Sequence, residues 1–360
     1  MALLIFTVSI VISELSLRVY IASRGWTTNC FAPQLDLFVP DPVNGATLRN
    51  NFRLKSGSFD IRTNQFGLRG PEIEKDAAAE TLRIAVLGGS SAFGYFASDG
   101  QEAARILEER LQKSIPDGSN FTIEVLNAGV PGYNLFHTLH RFESRVCPLK
   151  PDFVLLYLGW NDLTYVVSET PDEQQHQQRT LAPLWERLLG SFVLYDVIAY
   201  RIFQRSPQFA PQSGINKQPT DAGVVQFRKN LDLLLNKIED CEAVPIICIQ
   251  LMAAHPEADS QLDASLGTTP EDVREVKELG NWLRDELTQV ADDRDLMLID
   301  ANSSISIDPD HLADAIHPTL TGERKLAEFW KQSIEPIVSQ RLEAESASDE
   351  TDSDQIDAPK

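Results

Sequence analysis

The chain has 360 residues, 42% of them hydrophobic, enough apolar material to bury a full core as one large α/β domain with additions. Its formal charge of −21 argues against nucleic acid as a partner, because phosphate binding needs clustered Lys and Arg that release counterions. The four cysteines, Cys30, Cys147, Cys241 and Cys248, have no zinc-like spacing and are too sparse for a disulfide scaffold. Cys147, at the end of an expected helix, and Cys248, inside an apolar run, are therefore expected to be small core residues. The redox compartment stays open.

The chain begins with an apolar run over 2–12 that then meets Glu14 and Arg18. This run has the length of a signal-peptide core and is short for a bilayer span. It has no basic residues before it, and Arg18 and Arg24 follow it. Residues 1–24 are read as an export signal or membrane anchor, in preference to a buried helix, which implies an extracytoplasmic place and membrane association through the N-terminus. Residues 25–81 are rich in Pro, Asn and Gly and carry the turn-forming stretch 64–71, so an irregular or short-stranded extension is expected there.

From residue 82 the pattern changes. The apolar run 83–87 leads directly into Gly88-Gly89, the mark of a buried parallel strand entering a tight turn. Further strands are expected at 122–126, 153–158, 244–251 and 296–299, with helices near 103–111, 134–147, 221–240, 270–291 and 320–341. Strands alternating with helices predict a mostly parallel five-stranded sheet covered on both faces, with right-handed crossovers. The connection 166–218 is too long for that scheme. It follows the third strand and is read as an insertion, a lid or substrate wall over the crevice, with Leu184, Leu188, Leu189, Phe192 and Leu194 as its apolar face. Residues 343–360 are acidic and almost without apolar side chains, as in a solvated tail.

Four polar motifs stand at strand ends: Gly88-Gly89-Ser90-Ser91, Asn127-Ala128-Gly129-Val130-Pro131-Gly132, Gly159-Trp160-Asn161-Asp162 and Asp314-Ala315-Ile316-His317. The carboxyl ends of the strands in an open α/β sheet converge on one crevice, so these motifs can meet. A serine hydroxyl is a poor nucleophile until a neutral imidazole accepts its proton, and the imidazole needs a carboxylate to fix its tautomer. His317 and Asp314 can supply both. Backbone N–H groups of Ser90 and Gly132 and the side-chain amide of Asn161 are candidate oxyanion donors. By position alone either Ser90 or the adjacent Ser91 could be the nucleophile.

Each residue singly has a plainer reading, as a helix N-cap, a turn or a loop carboxylate. The stretch Gly89-Ser90-Ser91-Ala92-Phe93-Gly94 mimics a phosphate loop but has Tyr95 where Lys is needed. Asp308, Asp310, His311, Asp314 and His317 could be drawn as a metal cluster, but two of them are already used and the first pair suits a turn. His137 and His140, on an expected helix, are read as surface or packing residues.

In these four blocks and their order, across 82–342, the chain resembles the SGNH hydrolase superfamily of GDSL-type esterases and lipases. The resemblance implies a flavodoxin-like three-layer α/β/α sandwich, with Ser90 as nucleophile, His317 as base and Asp314 as its orienter. It further implies an oxyanion hole of Ser90, Gly132 and Asn161, and no cofactor or metal. The chain departs from the family motif at Gly89, where that motif has Asp. The expected activity is hydrolysis of a carboxylic ester, an acyl or O-acetyl group on a small molecule, carbohydrate or lipid, through an acyl-enzyme. The same triad would serve an O-acyltransferase acting on a carbohydrate, and a non-catalytic envelope- or carbohydrate-binding protein is the reading from another class. Acyl length and oligomeric state do not follow from these residues.

Overall fold

The computed structural model describes the chain apart from residues 33, 58, 117–118, 177–182, 204–217 and 357–360, together with the side chains of 34, 35, 174 and 344–356. Five strands form the central sheet: β5 (Thr81–Gly88), β6 (Thr122–Asn127), β7 (Phe153–Leu158), β8 (Val244–Ile249) and β9 (Met297–Asp300). Four shorter strands precede them in two antiparallel hairpins, β1 (Phe38–Asp41) with β2 (Gly45–Leu48) and β3 (Arg53–Lys55) with β4 (Asp60–Arg62).

The central sheet runs β6-β5-β7-β8-β9 with every pairing parallel. Counted along the chain this is the order 2-1-3-4-5 of flavodoxin-like sheets. A parallel sheet needs cover on both faces, and the side-chain alternation of β5 supplies two cores. Ala85 and Leu87 face the helices Leu135–Arg141, Asp221–Asp240 and Pro270–Asp293. Ile84 and Val86 face Ala103–Ser114 and the long last helix, whose Trp330 is fully buried. The result is a three-layer α/β/α sandwich. Gly88 closes β5 where a Cβ would lie 2.0 Å from the Tyr157 carbonyl of β7, so no larger residue fits between these two strands at the point where the chain turns toward Ser90.

The residues before β5 pack as a third core, in which Ile21, Phe38, Leu48, Leu54 and Ile61 meet Phe93, Val130 and Tyr133. The extension therefore sits directly behind two of the strand-end motifs. The N-terminal helix α1 (Ala2–Ser23) has 22 residues, about 33 Å at 1.5 Å per residue. By length and composition it could cross a membrane, and its apolar window is only 6% buried; a signal sequence passes the same test. It is longer than the apolar run alone predicts. Just past its middle, Glu14 pairs with Arg18 at 2.6 Å and accepts the backbone N–H groups of Val193 and Leu194, at 3.2 and 2.8 Å. The described part of the stretch read as an insertion holds the short helices Pro171–Gln175, Leu184–Leu189, Val193–Asp196 and Val197–Ile202, while 177–182 and 204–217 lie outside the described residues. The last helix, Leu320–Ile356, runs beyond its expected end, into the stretch read as a solvated tail, most of whose side chains also lie outside the described residues.

Cys147 is not a free core cysteine. It is half-buried and forms a disulfide with Cys241, the Cα atoms 6.0 Å apart and the two residues 94 positions apart in sequence. The pairing exists only because the chain after Leu135–Arg141 and the end of Asp221–Asp240 lie side by side on one face of the sheet. Cys248, by contrast, is free and buried on β8, as expected. Reduction of the Cys147–Cys241 bond, which closes a long loop, is expected to lower stability by about 2–4 kcal/mol. A fall in urea midpoint on adding reductant, absent in Cys147→Ser, checks it.

Candidate active site

The short helix Ser90–Phe93 starts at Gly89 where β5 ends, and Asn161 lies in the turn Trp160–Asp162 that follows β7. β5 and β7 flank the point where strand order reverses, the crevice in which open α/β sheets bind ligands. His317 comes from the segment between β9 and the last helix. Its Nε2 lies 2.7 Å from Ser90 Oγ and its Nδ1 lies 2.7 Å from Asp314 Oδ2. The other oxygen, Asp314 Oδ1, accepts the backbone N–H groups of Ile316 and His317 at 3.0 and 2.9 Å.

The Asp-x-x-His spacing thus has a physical reason. One carboxylate oxygen builds the turn and the other holds the imidazole carried by that turn. Burial works to raise the Asp314 carboxyl, but the hydrogen bond and charge of His317, with the two backbone N–H groups, hold it below the usual carboxylate value. The same spacing recurs at Asp308 and His311, where the ring bonds Asp308 at 2.8 Å; the imidazole that meets Ser90 is His317. Among the described residues no group of three or more His, Cys, Asp or Glu could hold a metal ion. His137 is buried, and His140 Nδ1 is bonded to the Phe136 carbonyl at 2.9 Å.

Ser91 is engaged elsewhere. Its hydroxyl donates to the Ile316 carbonyl and accepts from Gln250 Nε2, both at 2.8 Å. It therefore joins the Ser90 turn to the His317 turn and to the end of β8. Asn161 Nδ2 donates to the Tyr133 carbonyl at 2.8 Å, next to Gly132, which is exposed with φ of +83°. A Cβ at Gly89 would stand 2.6 Å from Asn161 Nδ2. The first three blocks are thus brought together around one amide, and Gly89 leaves room for it where the family motif has Asp. Asp162, fully buried, accepts from the Leu135 N–H at 2.9 Å and the Tyr165 hydroxyl at 2.7 Å. Burial pushes its carboxyl up to about 7 against those two bonds.

Gln250, Arg69 and Phe96 were not singled out from the sequence, and Tyr95 was noted there only as a residue that breaks a phosphate loop. Gln250 reaches Ser91. Arg69, wholly buried, donates to the carbonyls of Phe93, Gly94 and Ala97, each at 2.6 Å. Tyr95 and Phe96 lie against the His317 ring, with centroids 4.9 and 5.5 Å away. Arg69 sits in a stretch that reads as turns, where a lone Arg is ordinarily solvated. Its signal is weak.

A model of the GDSL-like Lipase/Acylhydrolase family matches residues 86–325, more than half of the chain and all four strand-end blocks. The chain belongs to the GDSL-like lipase/acylhydrolase family. As a GDSL-like hydrolase it is an enzyme acting on ester bonds. Among solved structures this hydrolase is similar to an acetyl xylan esterase variant from Geobacillus stearothermophilus, at 16% identity over 72% of this chain and 97% of that one, TM-score 0.43. It is also similar to a GDSL-like lipase from Bacteroides thetaiotaomicron, at 14% identity over 71% and 88% of the two chains, TM-score 0.40. No curated protein matches the chain. The assignment of this GDSL-like hydrolase rests on the family match.

Proposed function

We propose that this GDSL-like hydrolase cleaves carboxylic esters by acyl transfer to Ser90, with His317 as general base and Asp314 as the group that orients it. The observation that carries the reading is the unbroken chain Ser90 Oγ, His317 and Asp314, each link 2.7 Å. An ionised Asp314 accepts a hydrogen bond from Nδ1–H, which fixes the tautomer and leaves Nε2 unprotonated to take the Ser90 proton as the hydroxyl attacks the ester carbonyl. The imidazolium then returns that proton to the leaving alcohol oxygen. Water, deprotonated at the same nitrogen, attacks the acyl-enzyme and releases the acid and the serine.

Charge developing on the carbonyl oxygen needs donors fixed before the reaction. The backbone N–H groups of Ser90 and Gly132 and the second N–H of the Asn161 amide, whose first is held by Tyr133, are assigned that role. All three are neutral, so none competes with Asp314 for the imidazolium. Asn161→Ala is expected to lower kcat by about 10²-fold to 10³-fold with little change in KM. A variant that raises KM alone moves Asn161 to substrate binding.

The substrate is an acyl or O-acetyl ester of a small molecule, carbohydrate or lipid, and the enzyme works outside the cytoplasm. The exposed apolar helix α1 and the Cys147–Cys241 disulfide support that placement, since disulfides persist in oxidising compartments. Removing residues 1–13, which precede the Glu14 contact with the insertion, is expected to move esterase activity from the membrane fraction to the soluble fraction; an unchanged distribution contradicts the anchor.

A further inference from the structure

Tyr95 and Phe96 stand 48% and 38% exposed, stacked on one another at 5.2 Å with their rings near perpendicular, beside an imidazole whose Nε2 touches Ser90. The loop that presents them is rigidly built. Gly94 turns the chain with φ of +80°, and the buried Arg69 guanidinium binds the carbonyls on both sides of the pair, those of Phe93, Gly94 and Ala97. The Ala97 N–H closes the loop on the Gly94 carbonyl at 3.0 Å. Two large aromatic rings thus stand open to solvent on a clamped loop, packed against the His317 ring.

We infer that Tyr95 and Phe96 form the wall that holds the alcohol half of the ester, and that this alcohol carries a flat C–H face of the kind a sugar ring presents. The inference rests on the triad proposed above. The carbonyl oxygen points to the donors at Gly132 and Asn161, whereas the alcohol oxygen must come to His317 Nε2 to receive its proton. Groups packed on the imidazole therefore flank the alcohol side. Both rings are neutral, with apolar faces, and Tyr95 adds a hydroxyl at its edge, which suits a partner that is apolar on its face and polar at its rim. In the step served, the bond between the carbonyl carbon and the alcohol oxygen breaks as the Ser90 oxygen bonds that carbon. The proton first taken from Ser90 leaves with the alcohol.

The test compares two acetates with the same acyl group, methyl acetate and an acetylated methyl pyranoside, in wild type, Tyr95→Ala, Tyr95→Phe and Phe96→Ala. In Tyr95→Ala the ratio of kcat/KM for the pyranoside to that for methyl acetate is expected to fall about tenfold, and in Phe96→Ala about fivefold, the range that aromatic contacts supply. Tyr95→Phe, which keeps the ring, is expected to retain most of the wild-type ratio. Equal losses on both acetates, or a wild type that turns over methyl acetate but not the pyranoside, overturn the wall while leaving the triad standing. Turnover that survives Ser90→Ala overturns the triad and the wall with it.

Discussion

Ser90→Ala is expected to lower kcat by about 10³-fold or more while leaving the fold and the melting temperature nearly unchanged. The side chain is small, it lies at the start of a four-residue helix, and its hydroxyl bonds the His317 ring rather than the framework. Ser91→Ala has the opposite expected signature. Loss of a hydroxyl that bonds both the Ile316 carbonyl and Gln250 leaves buried polar partners unsatisfied, at about 1–3 kcal/mol, and affects rate only through that loosening. Rates and thermal melts of the two variants separate the roles. If Ser91→Ala abolishes acylation and Ser90→Ala does not, the nucleophile has been misassigned.

His317→Ala is expected to cost a similar factor and, in addition, to remove the acid limb of the pH profile. The imidazole must be neutral to accept the Ser90 proton, so kcat/KM is expected to have an acid limb that climbs by about one log unit per pH unit. Asp314 is held below the usual carboxylate value. It therefore stays ionised across that region, and the limb should follow a single ionisation. Stability should move the other way. Burial pushes Asp162 up to about 7 and Glu323 up to about 8, against unfolded values near 4. Carboxyls whose folded values are raised contribute stability that is complete below the unfolded value and is lost as pH rises through the folded one. Activity is thus expected to climb with pH on its acid limb, while the unfolding midpoint declines as pH rises through the raised Asp162 and Glu323 values. Replacing His311, which pairs with Asp308, should leave the acid limb in place. A limb that persists in His317→Ala and vanishes in His311→Ala would reverse the two.

The sheet was legible because buried parallel strands are written as short, nearly continuous apolar runs, and the run ending at Gly88-Gly89 marks the turn to Ser90 without ambiguity. The Asp314-x-x-His317 spacing was legible for a local reason, since one carboxylate serves both the turn and the ring. The choice between Ser90 and Ser91 was open to the residues alone, because the contacts that engage Ser91 come from Gln250, 159 positions away, and from Ile316. The Cys147–Cys241 bond was illegible for the same reason; nothing local relates residues 94 positions apart until two helices are laid on one face of the sheet. Arg69 was hidden differently. An Arg among turn residues reads as solvated, and only the fold shows that it fills the space under the Tyr95 loop, where three carbonyls accept from its two terminal nitrogens.

The most direct measurement is the site of covalent capture. Wild-type enzyme treated with a fluorophosphonate, digested and sequenced by tandem mass spectrometry, is expected to carry the phosphonyl group on Ser90 alone, with labelling lost in Ser90→Ala and strongly slowed in His317→Ala. A label on Ser91, or ester turnover undiminished in an enzyme that has lost Ser90, would contradict the account.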